Sequence, residues 1–190
     1  IPNPGRHVGV LLDASAQHAG RTGREVLTIG ARTMGLPDSR VDEMLELVSL
    51  TGAESKRRVR NYSLGMRQRL GLATALLADP PVLVLDEPAN GLDPEGIKWL
   101  RGMLRHLAGE GRTVLVSSHV LGEVQHTVDD VVVIAQGRLV HASSLSELAA
   151  MAGARTYVET PAPERLAALC AERGWTCTPT GSGHEVPDVP

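Results

Sequence analysis

Apolar positions along this chain follow two periods, and the change between them falls at Asp79-Pro80. Ahead of it, "HVGVLL" at His7–Leu12 reads as a short buried strand, followed by a polar loop from Asp13 to Gly20. From there the spacing is helical: Val41, Met44, Leu45 and Val48 step by three and four, with Ser39 placed as a cap and Asp42 three residues on. A break at Gly52 leads through Arg57–Asn61 to a further helix, capped at Ser63, whose apolar positions include Leu70, Ala73, Leu76 and Leu77. Residues 15–78 are therefore expected to form a helical subdomain. Beyond the change, Val82–Leu85 is a short unbroken apolar run, the pattern of a parallel strand covered on both faces. Asp93-Pro94-Glu95 supplies a cap, a first-turn proline and a first-turn acid for a helix with the stripe Ile97, Leu100, Leu104 and Leu107, ending at Gly109 and Gly111. Thr113–Val116 reads as a second buried strand and Val120–Thr127 as a short helix. Strand, helix, strand, helix is the order of a doubly wound α/β sheet.

Further on, Val131–Ala135 and Arg138–His141 flank Gln136-Gly137, a hairpin turn. Ser144 and Glu147 stand at capping-box spacing for a helix to about Met151. Past Gly153 the pattern is a β-α-β start, Thr156–Glu159, Pro163–Arg173 and Thr176–Thr178, ahead of a proline-rich tail, so an incomplete α+β appendage is expected over 153–190.

Composition narrows the function classes. At 190 residues and 42% hydrophobic, the chain can bury one sizeable core plus an appendage. The longest apolar runs are far below the roughly 20 residues of a membrane-spanning helix, so no direct membrane insertion is expected. A net charge of -3, with acids and arginines interspersed, argues against a nucleic-acid partner. Cys170 and Cys177 are the only cysteines, and with His184 they lack metal-site spacing, so reduced thiols are expected.

The chemistry concentrates at strand ends. Ligands of α/β sheets bind outside the carboxyl ends of the strands, and Asp13, Asp86, Glu87 and His119 each lie at or just past such an end. Two adjacent carboxylates closing an apolar strand repel each other and call for a positive partner. "VLVLDE" has the form of a Walker B element, whose first acid holds Mg²⁺ and whose second polarises the water that attacks a terminal phosphate. "NYSLGMRQRL" puts Ser63 and Gly65 at a helix start, where unpaired N–H groups and the helix dipole favour an anion. "GLDP" forms a tight turn that would hold Asp93 near the acids, and "VLVSSH" leaves His119 able to donate to a phosphate oxygen. Ser63 precedes Asp86 by 23 positions and His119 follows Glu87 by 32.

That order resembles the ATP-binding-cassette (ABC) ATPases, over about residues 6–150. "YSLGMRQRL" is similar to the family's signature LSGGQxQR, "VLVLDEP" to Walker B, "NGLDP" to the D-loop and His119 to the switch histidine; the serine-leucine-glycine-methionine form and the "LLDAS" opening resemble the antibiotic and multidrug exporters. The resemblance implies a P-loop NTPase sheet with a helical subdomain, residues 1–152 forming the cassette part. It implies ATP and Mg²⁺, with Asp86 on the metal, Glu87 as general base and His119 on the γ-phosphate. Ser63, Leu64, Gly65 and Met66 would face ATP held by a second ATPase subunit in a head-to-tail dimer, Asp93 would link the halves, and a transmembrane permease would hold the pair at the inner face of the cell membrane.

Three positions depart from the pattern. Leu64 and Met66 replace a glycine and the glutamine of the signature, and Asp13 stands where the Q-loop glutamine is usual, still able to reach Mg²⁺. No GxxxxGK[ST] occurs, the only lysines being Lys56 and Lys98. With Ile1 as its first residue, the chain is expected to be part of a longer ATP-hydrolysing exporter subunit. The alternative is a degenerate, non-enzymatic cassette that binds a partner; an ABC ATPase acting on ribosomes or DNA repair would want a fused second cassette.

Overall fold

The computed structural model describes residues 2–12, 16–120, 122, 127–152, 155–180 and 183–187. Asp13 and most of the helix expected over Val120–Thr127 lie outside the described residues. The chain divides into two compact units, Ile1–Thr127 and Val128–Pro190.

In the first unit, local hydrogen bonding sets the helix starts. Thr22 and Glu25 open α1 (Gly23–Thr33) with a capping box: Thr22 Oγ1 accepts from the Glu25 N–H at 3.2 Å and Glu25 Oε2 accepts from the Thr22 N–H at 2.8 Å. That backbone N–H holds the Glu25 carboxyl below its ordinary pKa. The next helix, α2 (Ser39–Leu47), buries Val41, Met44 and Leu45 as its spacing predicts. Ser39 does not cap it: Asp38 occupies the cap position without a side-chain bond, and Asp42 pairs instead with Arg24 on α1 at 2.5 Å. After the single turn of α3 (Ala53–Lys56), Ser63 caps α4 (Leu64–Leu76), accepting from the Met66 N–H at 3.2 Å. This helix is buried over most of its circumference, through Gln68, Leu70, Gly71, Leu72, Ala73, Ala75 and Leu76. Its C-terminal carbonyls, Leu76 and Leu77, accept from the Arg40 guanidinium at 3.1 and 3.0 Å.

Three parallel strands lie in the order β1 (Val8–Leu11), β2 (Val82–Asp86), β3 (Thr113–Ser117). Leu11, Leu85 and Val116 stand side by side in the register, as do Val10, Val84 and Leu115. Strand β1 sits against α4 so closely that a Cβ on Gly9 would overlap the Ala75 carbonyl oxygen. Leu11, Leu83 and Leu85 share one core with Leu70 and Leu72 of α4 and with Leu100, Leu104 and Leu107 of α5 (Pro94–Gly109). Full burial of each such leucine contributes roughly 1.5–3 kcal/mol.

The opposite face corrects the expectation of a strand covered on both sides. Val10 is 47% and Leu115 60% exposed, and Val82 and Val84 are only half-buried. An unbroken apolar run fixes that both faces avoid water, not which of them the chain's own helices reach. No described helix is long and apolar enough to cross a membrane.

The second unit begins with an antiparallel hairpin, β4 (Asp130–Ala135) and β5 (Arg138–Ser144), turning at Gln136-Gly137 and bulged between Val133 and Ile134. Ser144 and Glu147 form the expected capping box at α6 (Leu145–Ala152), with bonds of 3.0 and 3.2 Å. The remainder is β6 (Arg155–Val158), α7 (Pro163–Glu172), β7 (Thr178–Thr180) and β8 (Gly183–Pro187). In this part of the chain β8 pairs antiparallel with β6 on one side and β7 on the other.

Both cysteines are free, and the turn after α7 brings them together. The Trp175 N–H bonds back to the Cys170 carbonyl at 2.8 Å with Gly174 at φ 69°, reversing the chain so that the Cys177 thiol meets that of Cys170. Burial, then the neighbouring thiol, raises the Cys177 pKa above the usual thiol range. Because the thiolate is the nucleophile, alkylation by iodoacetamide, followed by mass spectrometry, should accelerate with pH only above the range of an exposed cysteine. A rate matching that of a free cysteine near pH 8.5 would contradict this.

Candidate active site

The end of β2 and the end of β3 build the site. Their register sets Asp86 beside Ser117, and the Ser117 hydroxyl donates to Asp86 Oδ1. Ser117 Oγ also accepts from the Glu87 N–H at 3.0 Å. Glu87 itself has left-handed backbone, φ 46°, an uncommon conformation for a non-glycine residue. Its carbonyl accepts from Gln68 Nε2 at 3.2 Å and from the Asn90 N–H at 3.1 Å, so the main chain is held on both sides. The side chain turns to His119, whose Nδ1 lies 2.8 Å from Glu87 Oε1; the two are 70% and 32% exposed. The two acids thus diverge, one to a hydroxyl and one to an imidazole. With Nδ1–H as the donor, this pairing engages one of the two Glu87 carboxylate oxygens and one of the two His119 ring nitrogens.

The loop that follows is turned by bonds from the Asn90 N–H to the Glu87 carbonyl and from the Leu92 N–H to the Ala89 carbonyl, 3.1 Å each. Asp93 then caps α5, its Oδ1 accepting from the Gly96 N–H at 2.8 Å. Leu64 lies on this loop: a Cβ on Gly91, which has φ 74°, would overlap the Leu64 side chain, and one on Gly65 would stand 3.2 Å from the Gly91 carbonyl oxygen. The leucine that departs from the signature pattern is thereby accounted for as a contact between the α4 start and the turn. Met66 leans back onto the core. Ser63 and Asp93 spend their side-chain bonds on their own helix starts, which leaves Ser63 exposed at the head of α4.

Sequence reasoning thus foresaw Asp86, Glu87, His119, Ser63 and Asp93 at element ends, and missed Ser117 and Gln68. Ser117 was legible in principle as the hydroxyl two residues before His119 in "VLVSSH"; Gln68 was legible only as the second glutamine of the signature LSGGQxQR, with nothing local to say that the helix buries it or what it reaches. Among the described residues no three His, Cys, Asp or Glu side chains cluster as a metal cage. One exposed carboxylate beside a hydroxyl does fit Mg²⁺, which keeps several waters and rests largely on substrate phosphates.

A family model described as "AAA domain, putative AbiEii toxin, Type IV TA system" matches residues 23–124, just over half of the chain. The bacitracin transport ATP-binding protein BcrA of Bacillus licheniformis is 45% identical over 136 residues, 70% of this chain and 44% of that protein. The lantibiotic transport ATP-binding protein SrtF of Streptococcus pyogenes is 36% identical over 71% of this chain and 58% of its own length. The chain therefore spans about half the length of the curated relatives it matches. Among solved structures, the dimeric ATP-binding cassette MJ0796 in a post-hydrolysis state with ADP and Pi superposes with a TM-score of 0.67 at 18% identity, covering 74% of this chain and 64% of the other, which establishes the fold. On this fold, with these motifs in this order, the chain belongs to the AAA-domain family, and its relatives in sequence are ATP-binding proteins of ABC transporters.

Proposed function

We propose that the chain is the signature, Walker B and D-loop portion of an ABC exporter's ATP-hydrolysing subunit, with residues 1–152 as its cassette part and 153–190 as an accessory segment. The observation that carries this reading is the 2.8 Å contact of His119 with Glu87, beside Asp86 at the end of β2. A solvated acid pair has no need of that pairing; an acid that takes a proton from water beside a phosphate does.

Glu87 orients the attacking water and accepts its proton on the carboxylate oxygen not engaged by His119. His119, fixed through Nδ1, offers Nε2 to an oxygen of the terminal phosphate. Asp86 and, by its Q-loop position, Asp13 would hold Mg²⁺, which would neutralise charge developing on the phosphates. By their place in the signature, Ser63, Leu64, Gly65 and Met66 form the α4 start that meets ATP held by a second ATPase subunit, the Leu64 and Gly65 N–H groups supplying donors while that of Met66 is spent on Ser63, and Asp93 links the two halves. The whole subunit adds a phosphate-cradling loop that these 190 residues do not contain, and a permease holds the pair at the inner face of the cell membrane. Export of an antibiotic-type cargo follows from the transport roles named for the bacitracin and lantibiotic relatives.

Titration calorimetry with Mg·ATP tests this on the chain as it stands beside the same chain extended upstream through the next glycine-rich loop of its gene. Tight binding by the extended form alone is expected. Failure of both to bind would leave a degenerate cassette whose work is binding a partner.

A further inference from the structure

The feature left unexplained by the site is a buried amide. Gln68 is 5% exposed in the apolar body of α4, and only one end of it is satisfied. Its Nε2 donates to the Glu87 carbonyl at 3.2 Å, while its Oε1 is buried with no partner among the described residues. A half-satisfied buried amide is less stable than an apolar side chain of the same shape, so core packing does not account for it. What the amide does reach is the one residue of the site whose backbone is strained. Glu87 sits at φ 46°, and a strained conformation persists only where its surroundings over-determine it. Here the N–H is fixed by Ser117 Oγ at 3.0 Å and the carbonyl by Gln68, 19 residues earlier in the chain.

We infer that Gln68 is a positioning residue for the proton-accepting carboxylate: its amide holds the Glu87 main chain in the left-handed conformation that directs the side chain to His119. This rests on the reading of Glu87 as the general base. The same helix that begins at Ser63 therefore sets the geometry of the acid, because Gln68 lies on α4 itself. A shift at the start of α4 is transmitted to Glu87 through one hydrogen bond.

The test is Gln68→Leu, which keeps the volume and removes the donor. In the intact subunit kcat should fall about 10-fold or more with KM for ATP unchanged, since a small misplacement of a reacting group costs rate rather than binding. The melting temperature should stay equal or rise, opposite to what loss of a structural contact gives. In the 190-residue chain, hydrogen exchange at the Glu87 amide should speed up several-fold, because freeing the carbonyl lets φ relax and breaks the bond to Ser117. Wild-type kcat beside a dead Glu87→Gln variant would overturn the inference alone, as would unchanged exchange at Glu87. A Glu87→Gln subunit that turns over normally would overturn the reading of the base, and the catalytic part of this inference with it. Should Gln68→Leu fail to fold, Gln68→Met carries the same expectations.

Discussion

Glu87→Gln in the intact subunit is expected to lower ATP turnover by about 10²-fold or more while leaving Mg·ATP affinity unchanged. The amide matches the carboxylate in shape, and the bonds that hold the residue in place, to Ser117 and Gln68, are made by its main chain, so the variant should keep the geometry. Its side-chain oxygen can still accept from His119. On the proposed reading, what is lost is the capacity to take a proton from water, a contribution confined to the transition state, so kcat falls and binding does not. Steady-state phosphate release together with an ATP titration reads both quantities. Turnover at the wild-type rate would show that the water is activated elsewhere, and His119 would then be the group to examine.

The second large effect is steric. Gly91→Ala should destabilise the first unit by about 2–5 kcal/mol, combining roughly 1–2 for a side chain in left-handed backbone with roughly 1–3 for overpacking. Gly91 has φ 74°, and its Cβ would overlap the end of the Leu64 side chain and stand 3.0 Å from Leu64 Cβ, which a rotamer change cannot relieve. The two causes can be separated. Leu64→Gly removes the overlap and leaves the backbone cost, so in that background Gly91→Ala should cost only about 1–2 kcal/mol. Denaturant midpoints of the four proteins in the cycle measure this. Additive effects would mean that Leu64 and the turn do not touch in solution.

Both predictions depend on contacts between segments far apart in sequence, and that distance divides what was legible from what was not. The sequence by itself determined the helix starts at Ser63, Asp93 and Ser144, the hairpin at Gln136-Gly137 and the position of Asp86, Glu87 and His119 at strand ends. In each case the deciding interaction spans three or four residues, or a period of two or 3.6, and is written in the local order of side chains. Ser39 failed within that range because Asp38, one residue earlier, takes the cap position. Tertiary structure alone decided which face of the sheet is covered, since Leu83 and Val84 are equally apolar and only the packing of α4 and α5 buries the first and leaves the second half-exposed. It decided that the tail strand β8 lies between β6 and β7. It also decided the grip on Glu87: Ser117 and Gln68 lie 30 and 19 residues from it, and only the β2–β3 register and the seating of α4 convert those separations into hydrogen bonds.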